Sequence, residues 1–171
     1  MKLVKLRQAL IDLNVDALLI TNEYNRRYMT GFTGTAGVAV VTKNDAVFIT
    51  DFRYTEQAQA QVQDFRIVQH NGPIFAEVAT QVALMGAKTI GFEKDSMSYA
   101  TYEIYKEAVK AEFVPVSGVI EKIRLIKTQE EINIIKAACE IADNAFTHIL
   151  DYIKPGQTEL EVSNELEFFM R

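Results

Sequence analysis

The 171-residue sequence is poor in the two residue types that build most disulfides and transition-metal sites. It contains one cysteine, Cys139, and two histidines, His70 and His148. A single cysteine excludes a disulfide within the chain, which is typical of proteins from a reducing compartment. A catalytic metal centre needs several converging Asp, Glu or His side chains, and the sequence offers no clear set of them. His70 lies beside the turn-forming residues Asn71 and Gly72, so we interpret it as a loop residue.

The sequence also lacks long apolar segments and clusters of basic residues. No apolar run reaches about 18 residues, so no transmembrane helix is predicted. Asp12 and Asp16 interrupt the N-terminal region where a signal peptide needs an unbroken apolar segment. The formal net charge is −5 and the basic residues are dispersed, which argues against a nucleic-acid partner. Together these features predict a cytoplasmic protein with no membrane and no nucleic-acid partner.

The residues that are present are typical of a globular α/β domain. Apolar residues make up 49% of the chain and charged residues 24%. Leu3, Leu6, Leu10 and Leu13 form one stripe of a helix. Short β-branched runs then alternate with helix-forming segments, and the last run contains Pro115, which indicates an edge strand. This alternation predicts an α/β fold with a mixed β-sheet flanked by helices.

The most informative stretch is residues 30–54, which begins with glycines and ends with charged and aromatic residues. Gly31 follows a short helix predicted for residues 23–30, and we expect it to end that helix in the left-handed conformation. Residues 38–42 and 46–50 are apolar runs separated by three turn-forming residues, a pattern that predicts a β-hairpin. Because both runs are apolar at nearly every position, we expect helices to cover both faces of the hairpin.

The spacing of Gly31, Gly34 and Gly37 raises the question of a phosphate-binding loop. Such loops lead into a helix N-terminus, whereas these glycines lead into a predicted strand, and no lysine follows Gly37. The spacing matches neither the dinucleotide-binding motif nor the P-loop. We therefore interpret the three glycines as positions for turns and close packing.

Two further helices are predicted after residue 125, and each is preceded by a capping box. Thr128 with Glu131 begins the first helix, and Thr158 with Glu161 begins the second. The first helix carries an apolar seam at Ile132, Ile135, Cys139, Ala142, Phe146 and Ile149. We expect this seam to be buried, with Cys139 acting as a small packed hydrophobe.

The first of these helices also carries a polar face. Glu140, Asn144 and His148 repeat every fourth residue, but we expect a solvated face here rather than a set of metal ligands. The second helix reaches Arg171 with its apolar face still repeating and without a stop signal. We therefore expect the chain to be the front part of a longer protein.

Three segments of this sequence together resemble a known family. Residues 25–32 (NRRYMTGF), the hairpin and residues 51–54 (DFRY) resemble the amino-terminal domain of creatinases, prolidases (Xaa-Pro dipeptidases) and aminopeptidase P. Residues 121–143 are similar to the junction at which those enzymes pass into their "pita-bread" catalytic domain. Residues 153–171 are similar to the opening helices of that catalytic domain.

The resemblance implies a creatinase-like N-terminal domain at residues 1–124 and the opening helices of a truncated catalytic domain at residues 125–171. The intact protein would be an Xaa-Pro-cleaving metallopeptidase, either a dipeptidase or an aminopeptidase P, acting on short proline-containing peptides. It would use two divalent metal ions (Mn, Co or Zn). The family's metal ligands lie beyond the opening helices, so the resemblance assigns no catalytic or metal-binding residue to this chain, which is expected to be inactive alone.

In this family the amino-terminal domain drives association into homodimers or larger homo-oligomers and presents loops that close the substrate pocket. The residues in the matching stretch are Phe32, Asp51, Arg53 and Tyr54. Arg53 could hold a peptide carboxylate in a bidentate pair, or it could form an internal pair with Asp51 or Glu56. Phe32 could form an apolar wall for a proline ring, or it could pack in the core.

Two other hypotheses stay open at the level of sequence. The chain could be a self-standing association module without a catalytic half. It could also be the N-terminal part of a creatinase-type amidinohydrolase, a branch of the family that works without metal.

Overall fold

A six-stranded mixed β-sheet organises most of the chain in the computed structural model, which describes residues 2–171. The strands are β1 (Ala17–Ile20), β2 (Val38–Thr42), β3 (Ala46–Thr50), β4 (Arg66–Gln69), β5 (Thr89–Glu93) and β6 (Glu112–Val116). Their order across the sheet is β4-β3-β2-β1-β5-β6. The accompanying helices are α1 (Lys2–Asp12), α2 (Glu23–Thr30), α3 (Thr55–Gln61), α4 (Ile74–Leu84), α5 (Tyr99–Ala108) and α6 (Val119–Leu125).

The direction of each strand follows from its connections. β1, β2 and β3 are antiparallel neighbours, and Val38 lies opposite Ile49 in the predicted hairpin, which is confirmed. β4 is parallel to β3, β5 is parallel to β1, and β6 is parallel to β5. Helices supply the crossovers that parallel neighbours need. β6, which contains Pro115, lies at the end of the strand order, so the predicted edge strand and the predicted mixed α/β fold are both confirmed.

Helices cover both faces of the sheet. One core contains Leu18, Ile20 and Phe48 together with leucines of α1. The opposite core contains Leu19 and Val40 together with valines of α4. Every residue of β2 and β3 is buried, which confirms the prediction that the hairpin is covered on both faces. The turn that follows β3 is therefore attached to a fully buried strand.

Helix α2 is fixed at both ends directly before the glycine-containing segment. At its start the Asn22 side chain accepts a hydrogen bond from the N–H of Asn25. At its end Gly31 has a φ of 77°, the left-handed conformation, and its N–H donates to the carbonyl of Arg27. The predicted role of Gly31 in ending this helix is confirmed.

The described residues divide into two compact units, one that ends at Leu125 and one that comprises Ile126–Arg171. The second unit contains α7 (Gln129–Tyr152) and α8 (Glu159–Met170), and both helices begin with the predicted capping boxes. None of the helices within residues 2–171 combines the length and apolar character that a membrane span requires. The assignment of residues 1–124 and 125–171 to separate functional domains stays a prediction.

Of the predicted apolar seam of α7, only Ile149 is buried in the second unit. Within this unit α7 buries Ala145 and Ile149, whereas Phe146 is 63% exposed and Cys139 is exposed. There are two reasons: α8 has 12 residues and α7 has 24, so α8 covers only part of the length of α7, and it covers the side with Ala145 and Ile149 rather than the side with Phe146. The prediction that Cys139 is a packed hydrophobe is therefore wrong for this unit.

Candidate functional site

The turn after β3 carries three of the four predicted site residues. Residues Phe52–Tyr54 form one turn of 3-10 helix, and the Asp51 carboxylate accepts a hydrogen bond of 3.0 Å from the N–H of Arg53. The Arg53 side chain donates back to the same carboxylate, from Nε at 2.9 Å and from Nη2 at 2.8 Å. The structure therefore contains an internal pair of Arg53, and its partner is Asp51 rather than Glu56.

This pair changes the ionisation of both partners. Hydrogen bonds from the Arg53 side chain, and a weaker contribution from its N–H, lower the pKa of Asp51 from 3.8 to about 2 because they stabilise the carboxylate. The same contact raises the pKa of Arg53. Because the Arg53 side chain is 62% exposed, water screens the attraction, and the pair contributes little to stability. Its main effect is to fix the direction of the guanidinium.

The Arg53 guanidinium retains donors that Asp51 does not use. A guanidinium carries five N–H groups, and Asp51 accepts one from Nε and one from Nη2. Within residues 2–171 the remaining N–H groups, on Nη1 and Nη2, have no protein hydrogen-bond partner. Two of these three N–H groups, one on Nη1 and one on Nη2, lie parallel along one edge, and two parallel donors on an edge are what a second carboxylate binds. The guanidinium carbon lies 5.5 Å from the centre of the Tyr54 ring.

The two aromatic candidates differ in their exposure. Phe32 is fully buried, packs on Phe48 with ring centroids 4.7 Å apart, and meets Tyr54 edge-to-face at 5.8 Å. Tyr54 is half-buried, and its hydroxyl lies 2.7 Å from Oγ1 of Thr35. Phe32 therefore supports the Tyr54 ring from the core side, and within this unit its own ring has no solvent-exposed surface.

Carbonyl groups of the glycine loop, residues 31–37, accept hydrogen bonds from the guanidinium of Arg26. Arg26 on α2 donates from Nη1 to the carbonyls of Gly37 (2.8 Å) and Thr35 (3.4 Å), and from Nη2 to the carbonyl of Gly34 (2.7 Å). The loop therefore turns carbonyl oxygens inward, whereas a phosphate loop presents N–H groups. The Arg26 side chain is 5% exposed, and this burial lowers its pKa.

A second, partly buried polar network links α2 to the sheet. Asn25 donates from Nδ2 to Glu93 at 2.7 Å and to Glu121 at 2.6 Å, and its Oδ1 accepts from Arg124 at 3.0 Å. The other oxygen of the Glu93 carboxylate accepts two backbone N–H groups from the segment after β1. Because these groups satisfy one another, the network holds α2, α6 and β5 together and leaves no polar group aimed at a ligand.

Residues 25–32 contribute to the family resemblance, but the resemblance assigns no role to Asn25 or Arg26; the signal for their burial is the composition of α2. The buried residues of this helix are Asn25, Arg26, Met29 and Thr30, and only one of them is apolar. A short helix that packs on a sheet with so little apolar surface has to bury polar side chains. Such side chains need partners, which here are the loop carbonyls and the carboxylates.

The two histidines make local contacts. Nδ1 of His70 lies 2.6 Å from the carbonyl of Gly72. In the second unit, Nε2 of His148 lies 2.7 Å from Glu165, and its ring stacks on Phe169 at a centroid distance of 4.2 Å. The predicted solvated face is confirmed at Glu140 and Asn144, which are exposed, and is wrong at His148, which is half-buried because α8 packs against it. Across residues 2–171, no group of three or more His, Cys, Asp or Glu side chains is arranged to hold a metal ion.

Two family models match the chain, in consecutive segments. One describes the creatinase/prolidase N-terminal domain and matches residues 2–126, and the other describes metallopeptidase family M24 and matches residues 133–171. The uncharacterized peptidase YqhT of Bacillus subtilis (strain 168) is 53% identical over 172 residues, covering 100% of this chain and 49% of that protein.

Solved structures agree with these matches. An Xaa-Pro dipeptidase from Bacillus anthracis is 56% identical with a TM-score of 0.94, covering 99% of this chain and 48% of that one. An X-Pro aminopeptidase from Thermotoga maritima MSB8 is 30% identical with a TM-score of 0.84, covering 92% of this chain and 47% of that one. The chain spans about half the length of the curated relatives it matches. The resemblance seen in the sequence is confirmed, and the chain belongs to the creatinase/prolidase N-terminal domain family.

Proposed function

We propose that this chain is the N-terminal part of an Xaa-Pro-cleaving metallopeptidase, either an Xaa-Pro dipeptidase or an aminopeptidase P. The observation that carries the proposal is the order of two family matches along one chain, first the creatinase/prolidase N-terminal domain and then metallopeptidase family M24. Relatives named for a substrate include Xaa-Pro dipeptidases and putative Xaa-Pro aminopeptidases. In the proposal, residues 1–124 form the N-terminal domain and residues 125–171 open the catalytic domain.

The N-terminal domain has two roles in this proposal. It associates subunits into a homodimer or a larger homo-oligomer, and its turn at residues 51–54 closes the substrate pocket of the intact enzyme. The support for the second role is that this turn is exposed yet anchored to a fully buried strand, the usual arrangement for a binding loop on a rigid scaffold.

Within the turn, Arg53 binds the carboxylate of a short proline-containing peptide through the guanidinium edge that Asp51 does not use. Asp51 fixes the guanidinium, and the Tyr54 ring borders it. Phe32 contributes by supporting the Tyr54 ring, since its own side chain is fully buried. A bidentate guanidinium–carboxylate contact suits substrates with a free terminus close to the cleaved bond.

The family implies two divalent metal ions (Mn, Co or Zn), and the described residues do not fit them, because no suitable cluster of ligands exists within residues 2–171. We therefore assign no metal ligand and no chemical step to these residues. The ligands belong, in the proposal, to the part of the enzyme that follows residue 171. A cytoplasmic location is also proposed, on the basis of a single cysteine with no partner for a disulfide.

The test is to compare the 171-residue chain with an enzyme-length protein that carries the same residues at its front. Each is assayed with an Xaa-Pro dipeptide, with a longer peptide that begins Xaa-Pro, and with creatine. We expect the long protein to cleave at least one proline peptide and the 171-residue chain to cleave none. Turnover of creatine alone would contradict the proposal and assign the creatinase branch. Inactivity of the long protein on all three would favour an association module.

A further inference from the structure

Arg26 occupies a position where a short helix on a sheet usually carries an aliphatic residue. It lies on the buried side of α2 and is 5% exposed. Its guanidinium spans the glycine loop, with contacts to the carbonyls of Gly34, Thr35 and Gly37 at 2.7, 3.4 and 2.8 Å. A buried charge needs strong compensating contacts, so this arrangement commits the loop carbonyls to one geometry.

The carbonyl of Ala36, the remaining one in residues 34–37, also accepts a hydrogen bond, and its donor lies on the strand that leads to the turn. Thr50, the last residue of β3, donates from its hydroxyl to the carbonyl of Ala36 at 2.8 Å. All four carbonyls from Gly34 to Gly37 therefore have side-chain donors, three contacts from Arg26 and one from Thr50. Hydrogen bonds to four consecutive carbonyls reduce the conformational freedom of this segment.

The glycine loop also contacts the other end of the turn. The Thr35 hydroxyl lies 2.7 Å from the hydroxyl of Tyr54, the residue directly after Arg53. Gly34 lies so close to the Phe32 and Tyr54 rings that a Cβ there would come within 2.3 Å and 2.9 Å of them. The loop thus touches residues on both sides of the Asp51–Arg53 pair, Thr50 before it and Tyr54 after it.

We infer that Arg26 is a positioning residue, which acts through the carbonyls of residues 34–37 and the Thr35–Tyr54 hydrogen bond to set the direction of the Arg53 guanidinium. This inference rests on the proposed function, since it concerns how the same turn meets the substrate carboxylate. Arg26 itself touches no substrate. Its effect reaches Arg53 because the glycine loop lies between α2 and the turn.

Four variants test the inference, three in the glycine loop and one at Arg26 in α2. Thr35→Val removes the hydroxyl that contacts Tyr54, and Thr35→Ser restores it. Thr33→Val is the matched control, because Thr33 is an exposed threonine of the same loop whose hydroxyl contacts Gln57 and Gln61 of α3 instead. Arg26→Lys keeps the charge but replaces the fork that spans several carbonyls with a single point donor.

The first measurement is hydrogen exchange of the 171-residue chain, read on peptides that cover residues 31–37 and 51–55. We expect Arg26→Lys and Thr35→Val to speed exchange in residues 51–55, and Thr35→Ser and Thr33→Val to leave that segment close to wild type. If Arg26→Lys fails to fold, the inference is still tested by comparing hydrogen exchange of residues 51–55 between Thr35→Val and Thr33→Val. Equal exchange of residues 51–55 in those two variants would overturn the inference.

The second measurement is steady-state kinetics of the enzyme-length protein on an Xaa-Pro peptide, with Arg53→Ala as reference. We expect Thr35→Val to raise KM by about two- to tenfold, the range of one neutral hydrogen bond, with kcat nearly unchanged and with rescue by Thr35→Ser. If Arg53→Ala raises KM and Thr35→Val does not, the inference about positioning is wrong and the proposed role of Arg53 stands. If Arg53→Ala leaves KM unchanged, the proposed role of Arg53 fails, and the inference fails with it.

Discussion

At the scale of single residues, the Asp51–Arg53 pair fixes a guanidinium without burying it. Two side-chain hydrogen bonds of 2.9 and 2.8 Å hold one edge of the group, while the side chain remains 62% exposed. An exposed ion pair gains little net free energy in water, so its geometric effect outweighs its contribution to folding. A pair of this kind is well suited to present the adjacent edge of the guanidinium, formed by Nη1 and Nη2, to a ligand.

Substitution of Arg53 separates binding from stability. In the enzyme-length protein, Arg53→Ala should raise KM or lower kcat/KM, because the carboxylate contact is lost, while the thermal midpoint stays close to wild type. Arg53→Lys should recover only part of the loss, since an ammonium cannot form the bidentate contact. A large drop in the thermal midpoint with normal kinetics would instead assign the pair a purely structural role.

The ionisation of Asp51 can be measured directly. With a pKa of about 2, about nine-tenths of Asp51 should be ionised at pH 3, whereas an ordinary carboxyl with a pKa of 3.8 would be mostly protonated. Because folding lowers this pKa, the stabilising effect is complete above pH 3.8 and is lost as the pH falls towards 2. Carboxyl NMR of the 171-residue chain at pH 3 provides the measurement.

Two variants control that titration. Arg53→Ala should return the Asp51 midpoint towards 3.8, because the hydrogen bonds from Arg53 are the largest cause of the shift. Arg66→Ala should not move it, since Arg66 pairs with Asp45 instead. An Asp51 midpoint near 3.8 in the unaltered chain would show that the pair does not persist in solution.

At this scale the sequence predicts which residues form the turn, but it does not predict that Arg26 holds the neighbouring glycine loop. Arg53 next to Asp51 in a short turn makes an internal pair foreseeable, although the choice between Asp51 and Glu56 depends on the 3-10 turn. Arg26 could not be foreseen in the same way. Its partners are backbone carbonyls 8 to 11 residues away, and backbone acceptors have no sequence pattern of their own.

At the scale of elements, the glycine loop is shaped by close approach as well as by backbone freedom. Gly37 has a φ of 145°, so its backbone suits glycine, whereas Gly34 lacks a positive φ and is required by space. A Cβ at Gly34 would come within 2.3 Å of the Phe32 ring and 2.9 Å of the Tyr54 ring, both parts of packed aromatic contacts. The interpretation of these glycines as turn and packing positions agrees with the structure.

Replacement of Gly34 should therefore disturb the site through packing. Gly34→Ala should lower the free energy of unfolding by about 1–3 kcal/mol, the usual cost of overpacking a filled site. Gly72→Ala is the matched control, because a Cβ there meets nothing within 4 Å, and it should change stability by about 0.5 kcal/mol or less. Chemical denaturation of the 171-residue chain measures both. Equal stability of the two variants would contradict this view of the loop.

Elements with strong local signals could be predicted, and elements defined by their neighbours could not. The hairpin, the end of α2 at Gly31 and both capping boxes follow from short-range chemistry, and the structure contains all of them. The buried face of α7 depends on which helix packs against it and over what length. That information is absent from the periodicity of α7 alone, which explains the incorrect predictions for Cys139 and His148.

At the scale of the whole molecule, the chain joins a complete sheet domain to a pair of helices with extensive exposed apolar surface. The first unit has helices on both faces of its sheet and two separate cores. In the second unit, Ile134, Phe146, Leu150, Leu160 and Phe168 are all more than half exposed. This contrast fits the proposal that residues 125–171 belong to a larger catalytic domain, with the turn at residues 51–54 in this chain and the metal ligands in the part of the enzyme that follows residue 171.

The central claim is that the metal ligands lie outside residues 2–171. Calorimetric titration of Mn²⁺ into the 171-residue chain and into the enzyme-length protein tests this claim most directly. We predict that the long protein binds about two equivalents, as the family's two-metal centre implies, and that the 171-residue chain shows no tight stoichiometric binding, since its residues 2–171 contain no suitable ligand cluster. Tight stoichiometric binding by the 171-residue chain would contradict the account.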